Sequence, residues 1–331
     1  MIVVRAPFRL PLGGGGTDLP SYYRNYGGSL ITAAINKYMY IIVNKPALVN
    51  NIKINYSRVE IIAPDEIDNI KHDIVKNTLK YLKIDFPLEL SSMADLSAGT
   101  GMGSSSSYTV ALLVALNQLL RRHISLKEIA EEACKIEIDL CEKPIGKQDQ
   151  YAATFGGIIE LEIDELGHVK VTPLNLHTET KYELENRLLM FYTDIQRDAN
   201  KILGEQSEKA KKKEISALDA MHKIKGIGRQ IKTSLLDGDI TAFGNLLHEH
   251  WETKKSISGK MSNSQIDNWY DIARKNGAIG GKVMGAGGGG FMLFCIEQGK
   301  RKEFRKAMEN KGLKYMDFKF DFHGVKVLAN V

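Results

Sequence analysis

The sequence predicts an α+β protein in two domains, and three observations predict it. A chain of 331 residues has room for one large or two medium domains, each with a buried core. Strand-like runs and amphipathic stretches follow one another along it without a repeat of solenoid period, and in the second half they alternate. The pattern changes after the polar stretch at 177–185, which divides the chain into residues 1–180 and 181–331.

Each element has its own signal. Residues 2–4 read as a strand that leads into a loop with four consecutive glycines at 13–16, bracketed by Arg9 and Asp18. The β-branched and aromatic run at 29–43 predicts paired strands. A helix over 65–82 would place Ile67, Ile70, Ile74, Leu79 and Leu82 on one face. A strand at 85–91 precedes LSAGTGMGSSSSY, and an apolar helix should begin at its serines. Ser125 and Glu128 form a capping box for a helix from Leu126 to about Cys141, ending before Pro144. Runs at 158–163 and 168–173 read as a hairpin. The second half predicts a strand at 187–192 and helices over 199–236, 240–257 and 263–275, the last ended by Gly277. Strands at 278–284 and 291–296 flank GAGGGG; a helix at 300–311 and strands near 315–320 and 325–329 follow.

Composition narrows the function. The net charge of +5 is modest, and the basic residues alternate with acids or scatter, as in KAKKKE and KKSISGK, which read as solvated helix faces. A small anionic ligand suits this balance, and nucleic acid is not implied. No apolar run has the length of a membrane span, and MIVVRAPFRL is not a secretory leader. The three cysteines have no metal-ligand spacing, and Cys134 and Cys141 read as core; reduced thiols in a cytoplasm are expected.

The chemistry centres on Gly99, Gly101 and Gly103, which run into four serines, Ser104, Ser105, Ser106 and Ser107. Glycines let the backbone approach a ligand, and a helix start offers free N–H groups and a positive dipole end. This is a phosphate cradle. It is not a Walker loop, because Gly103 is followed by Ser rather than Lys, and the acid a Rossmann fingerprint needs downstream is replaced by Arg121, Arg122 and His123. Phosphoryl transfer also needs a metal, a cation on the moving group and a residue to position the nucleophile. Ser104 or Ser105 with Glu137 could hold magnesium, Asp149 could orient the acceptor hydroxyl, and Arg9 could stabilise charge. Singly, Glu137 reads as readily as a solvated acid, Asp149 as a loop or cap residue, and Arg9 with Asp18 as a surface pair. Tyr22, Tyr23 and Tyr26 could line a sugar or simply pack, and His248 and His250 point to different helix faces, which excludes a metal pair.

Together, APFRLPLGGGGTDL, AGTGMGSSSSY and KVMGAGGGGF resemble the three motifs of the GHMP kinase superfamily, in order and across nearly the whole chain. The resemblance implies a ribosomal-protein-S5-like N-terminal domain, a ferredoxin-like C-terminal domain, and ATP between them. It casts Asp149 and Arg9 as catalytic, and Glu137 with Ser104 or Ser105 as magnesium ligands. Gly99, Gly101, Gly103, Ser104, Ser105, Ser106, Gly287 and Gly288 would face ATP, and Gly15, Gly16, Thr17, Asp18 and Lys147 the acceptor. Ser97 stands where the family usually has proline, and Gly15 and Gly16 stand where galactokinases carry sugar-binding Glu and His, so galactose is not expected.

The wording GGGGTDLPSYY with PIGKQDQYAATFGG is similar to the branch of heptose 7-phosphate kinases and L-fucokinases. It implies an ATP- and Mg2+-dependent kinase acting on the anomeric hydroxyl of D-glycero-D-manno-heptose 7-phosphate. L-fucokinase or another sugar-1-kinase is the nearest alternative, and a non-catalytic sensor that binds ATP and sugar the alternative of another class. The second phosphate of such a substrate would need its own donors, for which Lys147, Arg24 and Arg197 are candidates. The expected partners are ATP and a sugar phosphate, with neither nucleic acid nor membrane; a homodimer is compatible.

Overall fold

A computed structural model describes residues 1–195, 204 and 215–331. Its spine is an antiparallel pair of long strands, β1 (Ile2–Gly13) and β2 (Gly28–Asn44). Val4, Ala6, Phe8, Leu10 and Leu12 alternate along β1 into the core. The strand runs past Pro7 and Pro11, which as loop signals predicted an early end; the register shifts beside each, so their missing N–H groups fall at irregularities. Arg9 therefore sits on a strand, rigidly placed. The run at 29–43 is one strand instead of the expected pair, because its mates come from elsewhere: β1 on one side, β5 (Leu88–Ala94) and β6 (Ile158–Ile163) on the other. Strands β3 (Ile52–Asn55), β4 (Val59–Ile62) and β7 (Val169–Pro173) extend this eight-stranded sheet. The expected hairpin is β6–β7.

The helix expected over 65–82 is a 3-10 turn at Pro64–Asn69 followed by α2 (Asp73–Tyr81), α1 being the short Pro20–Tyr26 helix. The break has a cause: Glu60 accepts the N–H groups of Lys71 and His72. Helix α3 (Ser104–Leu119) is apolar nearly all round, as a helix buried against β1 and β2 must be. Helix α4 (Leu126–Cys134) starts with the expected Ser125–Glu128 capping box, then widens into a π turn at Lys135–Leu140. Helices α5 (Gln148–Phe155) and α6 (Thr178–Arg187) follow.

The second sheet is antiparallel in the order β11-β8-β10-β9, with β8 (Leu188–Tyr192), β9 (Ala278–Val283), β10 (Phe291–Ile296) and β11 (Lys314–Met316). Helices α7 (Ile215–Leu236), α8 (Ile240–Lys255), α9 (Ser264–Lys275) and α10 (Arg301–Glu309) belong to this half. Phe191, Phe294, Phe304, Trp251 and Tyr270 cluster in its core. The helix expected over 199–236 is described only from Ile215 apart from residue 204, and Arg197 lies outside the described residues. The final strand, β12 (Lys326–Asn330), returns to pair with β1, so the first sheet closes with the end of the chain.

Candidate active site

Gly99, Gly101 and Gly103 each take a left-handed φ, +79°, +80° and +80°, which L side chains rarely adopt. Gly103 caps α3, whose first turn is the serine run, so the helix N-terminus opens onto the loop. Ser107 donates to Pro7 O at 2.8 Å and ties this turn to β1, and Ser106 is buried beside it. Ser104 and Ser105 line a cavity walled by Met39, Tyr56, His72, Met93 and Tyr108. The third glycine turn braces the loop from the other domain: a Cβ at Gly290 would stand 2.3 Å from Thr100 O, to which the Phe291 N–H donates. Gly287 and Gly288, expected at ATP, lie beside Met261: a Cβ at Gly287 would meet it, and its carbonyl takes the Gly288 N–H at 2.7 Å.

Strand β1 and helix α5 bring Arg9 and Asp149 together. Arg9 Nε and Nη2 donate to the two carboxylate oxygens of Asp149 at 2.6 and 2.7 Å, and Nη1 donates to Gly101 O at 2.7 Å. A Cβ at Gly103 would lie 3.1 Å from Asp149 Oδ2, so the carboxylate abuts the phosphate loop. Such a bidentate pair fixes orientation as well as charge.

The π turn carries Glu137 inward. Its carboxylate, fully buried, accepts from Ser105 Oγ at 2.6 Å and Gln150 Nε2 at 2.8 Å, and Lys143 Nζ stands 3.6 Å away. Burial pushes its pKa up; Lys143 and the hydrogen bonds from Ser105 and Gln150 oppose this. Of the two candidate serines, Ser105 is the one that touches Glu137. No group of three or more ligating His, Cys, Asp or Glu occurs among the described residues. One hydroxyl and one carboxylate beside the phosphate loop is nonetheless a donor set that suits magnesium, which keeps several waters.

A second cavity lies on the Asp149 side. Arg9, Gly15, Gly16, Asp18, Gly146 and Gln148 line it with Asp149. Asp18 accepts the N–H groups of Gly16 and Gln148, each at 3.0 Å, while burial raises its pKa. Thr17 and Lys147, expected at the acceptor, are not among the residues that line this cavity. Thr17 Oγ1 is buried and donates toward Gly14 O and Ser29 O, a structural duty within the turn. Lys147 Nζ donates to Glu131 and Gly167 O and lines a different cavity, shared with Arg24. Tyr22 and Tyr23 are buried in packing, with the Tyr22 hydroxyl on His222. Cys134 is buried in the core, whereas Cys141 is half-buried with its sulfur against the Asn77 amide.

Three more residues that line this cavity went unrecognised in the sequence: His250, Lys254 and Lys282, all buried. Lys254 opens the KKSISGK run that read as solvated. Its spacing from Leu247, His250 and Trp251, which are buried on the same helix, was the available signal.

This fold and site define a class. Two family models match, "GHMP kinases N terminal domain" over residues 71–157 and "GHMP kinases C terminal" over 231–314, and the chain belongs to the GHMP kinases, phosphotransferases with an alcohol acceptor. It is 34% identical to the D-glycero-alpha-D-manno-heptose 7-phosphate kinase of Campylobacter jejuni over 98% of both chains. A crystal structure of a D-glycero-D-manno-heptose 1-phosphate kinase from Bacteroides thetaiotaomicron superposes with a TM-score of 0.83 at 28% identity, covering 100% of both chains. The L-fucokinase/L-fucose-1-P guanylyltransferase of Bacteroides fragilis is 25% identical over 88% of this chain and 34% of its own length.

Proposed function

We propose that the protein uses ATP and Mg2+ to phosphorylate the anomeric hydroxyl of D-glycero-D-manno-heptose 7-phosphate, giving the 1,7-bisphosphate. The observation that carries this reading is the Arg9–Asp149 pair set against Gly103 of the phosphate loop, in a chain aligned end to end with a heptose 7-phosphate kinase. Asp149 orients the C1 hydroxyl and takes its proton as the oxygen attacks the γ-phosphorus and the bond to the β–γ bridging oxygen breaks, releasing ADP. Arg9 holds that carboxylate and neutralises charge on the group in flight. Ser105 and Glu137 would hold magnesium, which would supply charge neutralisation for the transferring phosphate. An anomeric hydroxyl is more acidic than an ordinary alcohol, so Asp149 needs little basicity.

Asp18, Gly15, Gly16 and Gln148 would receive sugar hydroxyls, and the Gln148 amide nitrogen, buried without a hydrogen-bond partner among the described residues, suits that role. The product would feed nucleotide-activated heptose for a surface polysaccharide. The cytoplasm fits three cysteines outside disulfides, and among the described residues no helix is long and apolar enough to cross a membrane. Turnover of heptose 7-phosphate, L-fucose and D-mannose with ATP tests the assignment. Heptose 7-phosphate should be preferred by kcat/KM; preference for fucose would transfer the assignment to the fucokinases, and ligand binding without ADP release to a sensor.

A further inference from the structure

Helix α5 carries in succession two side chains that end on charged groups. Asp149 meets Arg9, and the next residue, Gln150, meets Glu137. Neighbours on a helix point about 100° apart, so the two serve different sides of the element. Gln150 is fully buried. Its Nε2 donates to Glu137 Oε2 at 2.8 Å, which is the side chain's one hydrogen bond among the described residues, and its Oε1 has no partner there. An ionised carboxylate only accepts, so it selects the amide nitrogen and leaves the amide oxygen unfilled. A buried amide with half its capacity unused costs stability that an apolar side chain of the same size would not. Packing alone does not account for a glutamine here.

Glu137 is pinned from two sides. Ser105 Oγ donates to Oε1 at 2.6 Å from the first turn of α3, and Lys143 Nζ stands 3.6 Å from the same oxygen. Gln150 takes the other oxygen. One hydrogen bond leaves a carboxylate free to turn about its last torsion, which has broad wells; a second bond on the opposite oxygen fixes its plane. We propose that Gln150 is a positioning residue for the metal: it holds Glu137 Oε2, so that Oε1, beside Ser105, is the oxygen offered to magnesium. This rests on the reading of Ser105 and Glu137 as the magnesium donors. A partner one step behind a metal ligand sets that ligand's orientation, and losing one costs about 10- to 100-fold in metal affinity. Helix α5 then has two duties, since the turn that sets Asp149 against Arg9 also sets the plane of Glu137.

The test measures Mn2+ binding to the whole chain saturated with ADP, by electron paramagnetic resonance of the free ion. Gln150→Met removes the amide at nearly constant length. Gln150→Asn, which keeps the amide but withdraws it, is the second variant should the first fail to fold. Mn2+ affinity should fall about tenfold or more in either, while ADP affinity without divalent metal stays at the wild-type value. The same substitution is then made in a Glu137→Gln background. There it should cost little more, because the group it positions is gone; a merely structural role would add its loss to that of Glu137→Gln. Unchanged Mn2+ affinity in the single Gln150 variants overturns the proposal, and so does an additive loss in the double variant. If Glu137→Gln alone binds Mn2+ as wild type does, the magnesium reading itself falls and the proposal with it.

Discussion

Arg9 and Asp149 lie 140 residues apart in sequence and meet through two hydrogen bonds of 2.6 and 2.7 Å, while the third arm of the same guanidinium reaches Gly101 O. One side chain thus sets the distance between the Asp149 carboxylate, proposed to position the nucleophile, and the glycine–serine loop proposed to hold phosphate. A lysine cannot make three directed bonds from a planar fork. Arg9→Lys should therefore lower kcat by about 10- to 100-fold, and Asp149→Ala by about 10²- to 10⁴-fold, with ATP affinity little changed. Steady-state kinetics with equilibrium nucleotide binding checks both, and an undiminished kcat in Asp149→Ala would refute the assigned role.

Ser104 and Ser105 are neighbours with different surroundings, since only Ser105 bonds to Glu137. On the proposal that Ser105 and Glu137 hold magnesium, removing the Ser105 hydroxyl should raise the magnesium concentration for half-maximal activity by about tenfold or more. Ser105→Ala should show that shift and Ser104→Ala a far smaller one. Magnesium titrations at saturating ATP decide it; equal shifts would mean that the contact with Glu137 does not select the ligand.

Part of this site was legible in the sequence and part was not, for physical reasons. The serine run after alternating glycines announces a helix N-terminus from local chemistry alone, and α3 begins there at Ser104. The Arg9–Asp149 pair is long-range, and only likeness to a family suggested it. Pro7 and Pro11 hid the strand that fixes Arg9, because bulges let a strand absorb prolines that local rules read as a break. The π turn that buries Glu137 leaves no such local mark, so an acid after a polar helix read equally as solvated. Lys254 was hidden by composition: its charged neighbours made a solvated run of what is, at helical spacing, a buried face.

Gly146 marks how tightly the acceptor wall is built. A Cβ there would stand 2.0 Å from Asp18 Oδ2 and 2.8 Å from the Asp18 carbonyl, so Gly146→Ala must displace the carboxylate or its backbone. Asp18 lines the cavity beside Asp149 that is proposed to receive the acceptor. The variant should raise KM for the sugar by about tenfold, the order of one lost hydrogen bond to a charged group, and leave KM for ATP near wild type. A change confined to ATP would place Asp18 on the wrong substrate.

His250 gives the acceptor cavity a pH signature in the protein without ligand. Its folded pKa lies well below the ordinary value because it is buried and because Lys282 and Lys254 stand near it; Arg9, Asp18 and Asp149 share the cavity. In the unfolded chain the imidazole titrates near 6.5. Below that pH the unfolded state binds a proton that the folded state refuses. Stability from this site is thus fully present above about pH 6.5 and falls as the pH drops toward the folded pKa, at up to about 1.4 kcal/mol per pH unit. His72 and His248 have lowered pKa values too, so the wild-type slope alone is not diagnostic. The difference is: between pH 6.5 and 5.5, His250→Gln should lose about 1 kcal/mol less than wild type in urea unfolding. Parallel pH dependences would show that the imidazole titrates in the fold as it does in the unfolded chain, so that burial does not hold its pKa down.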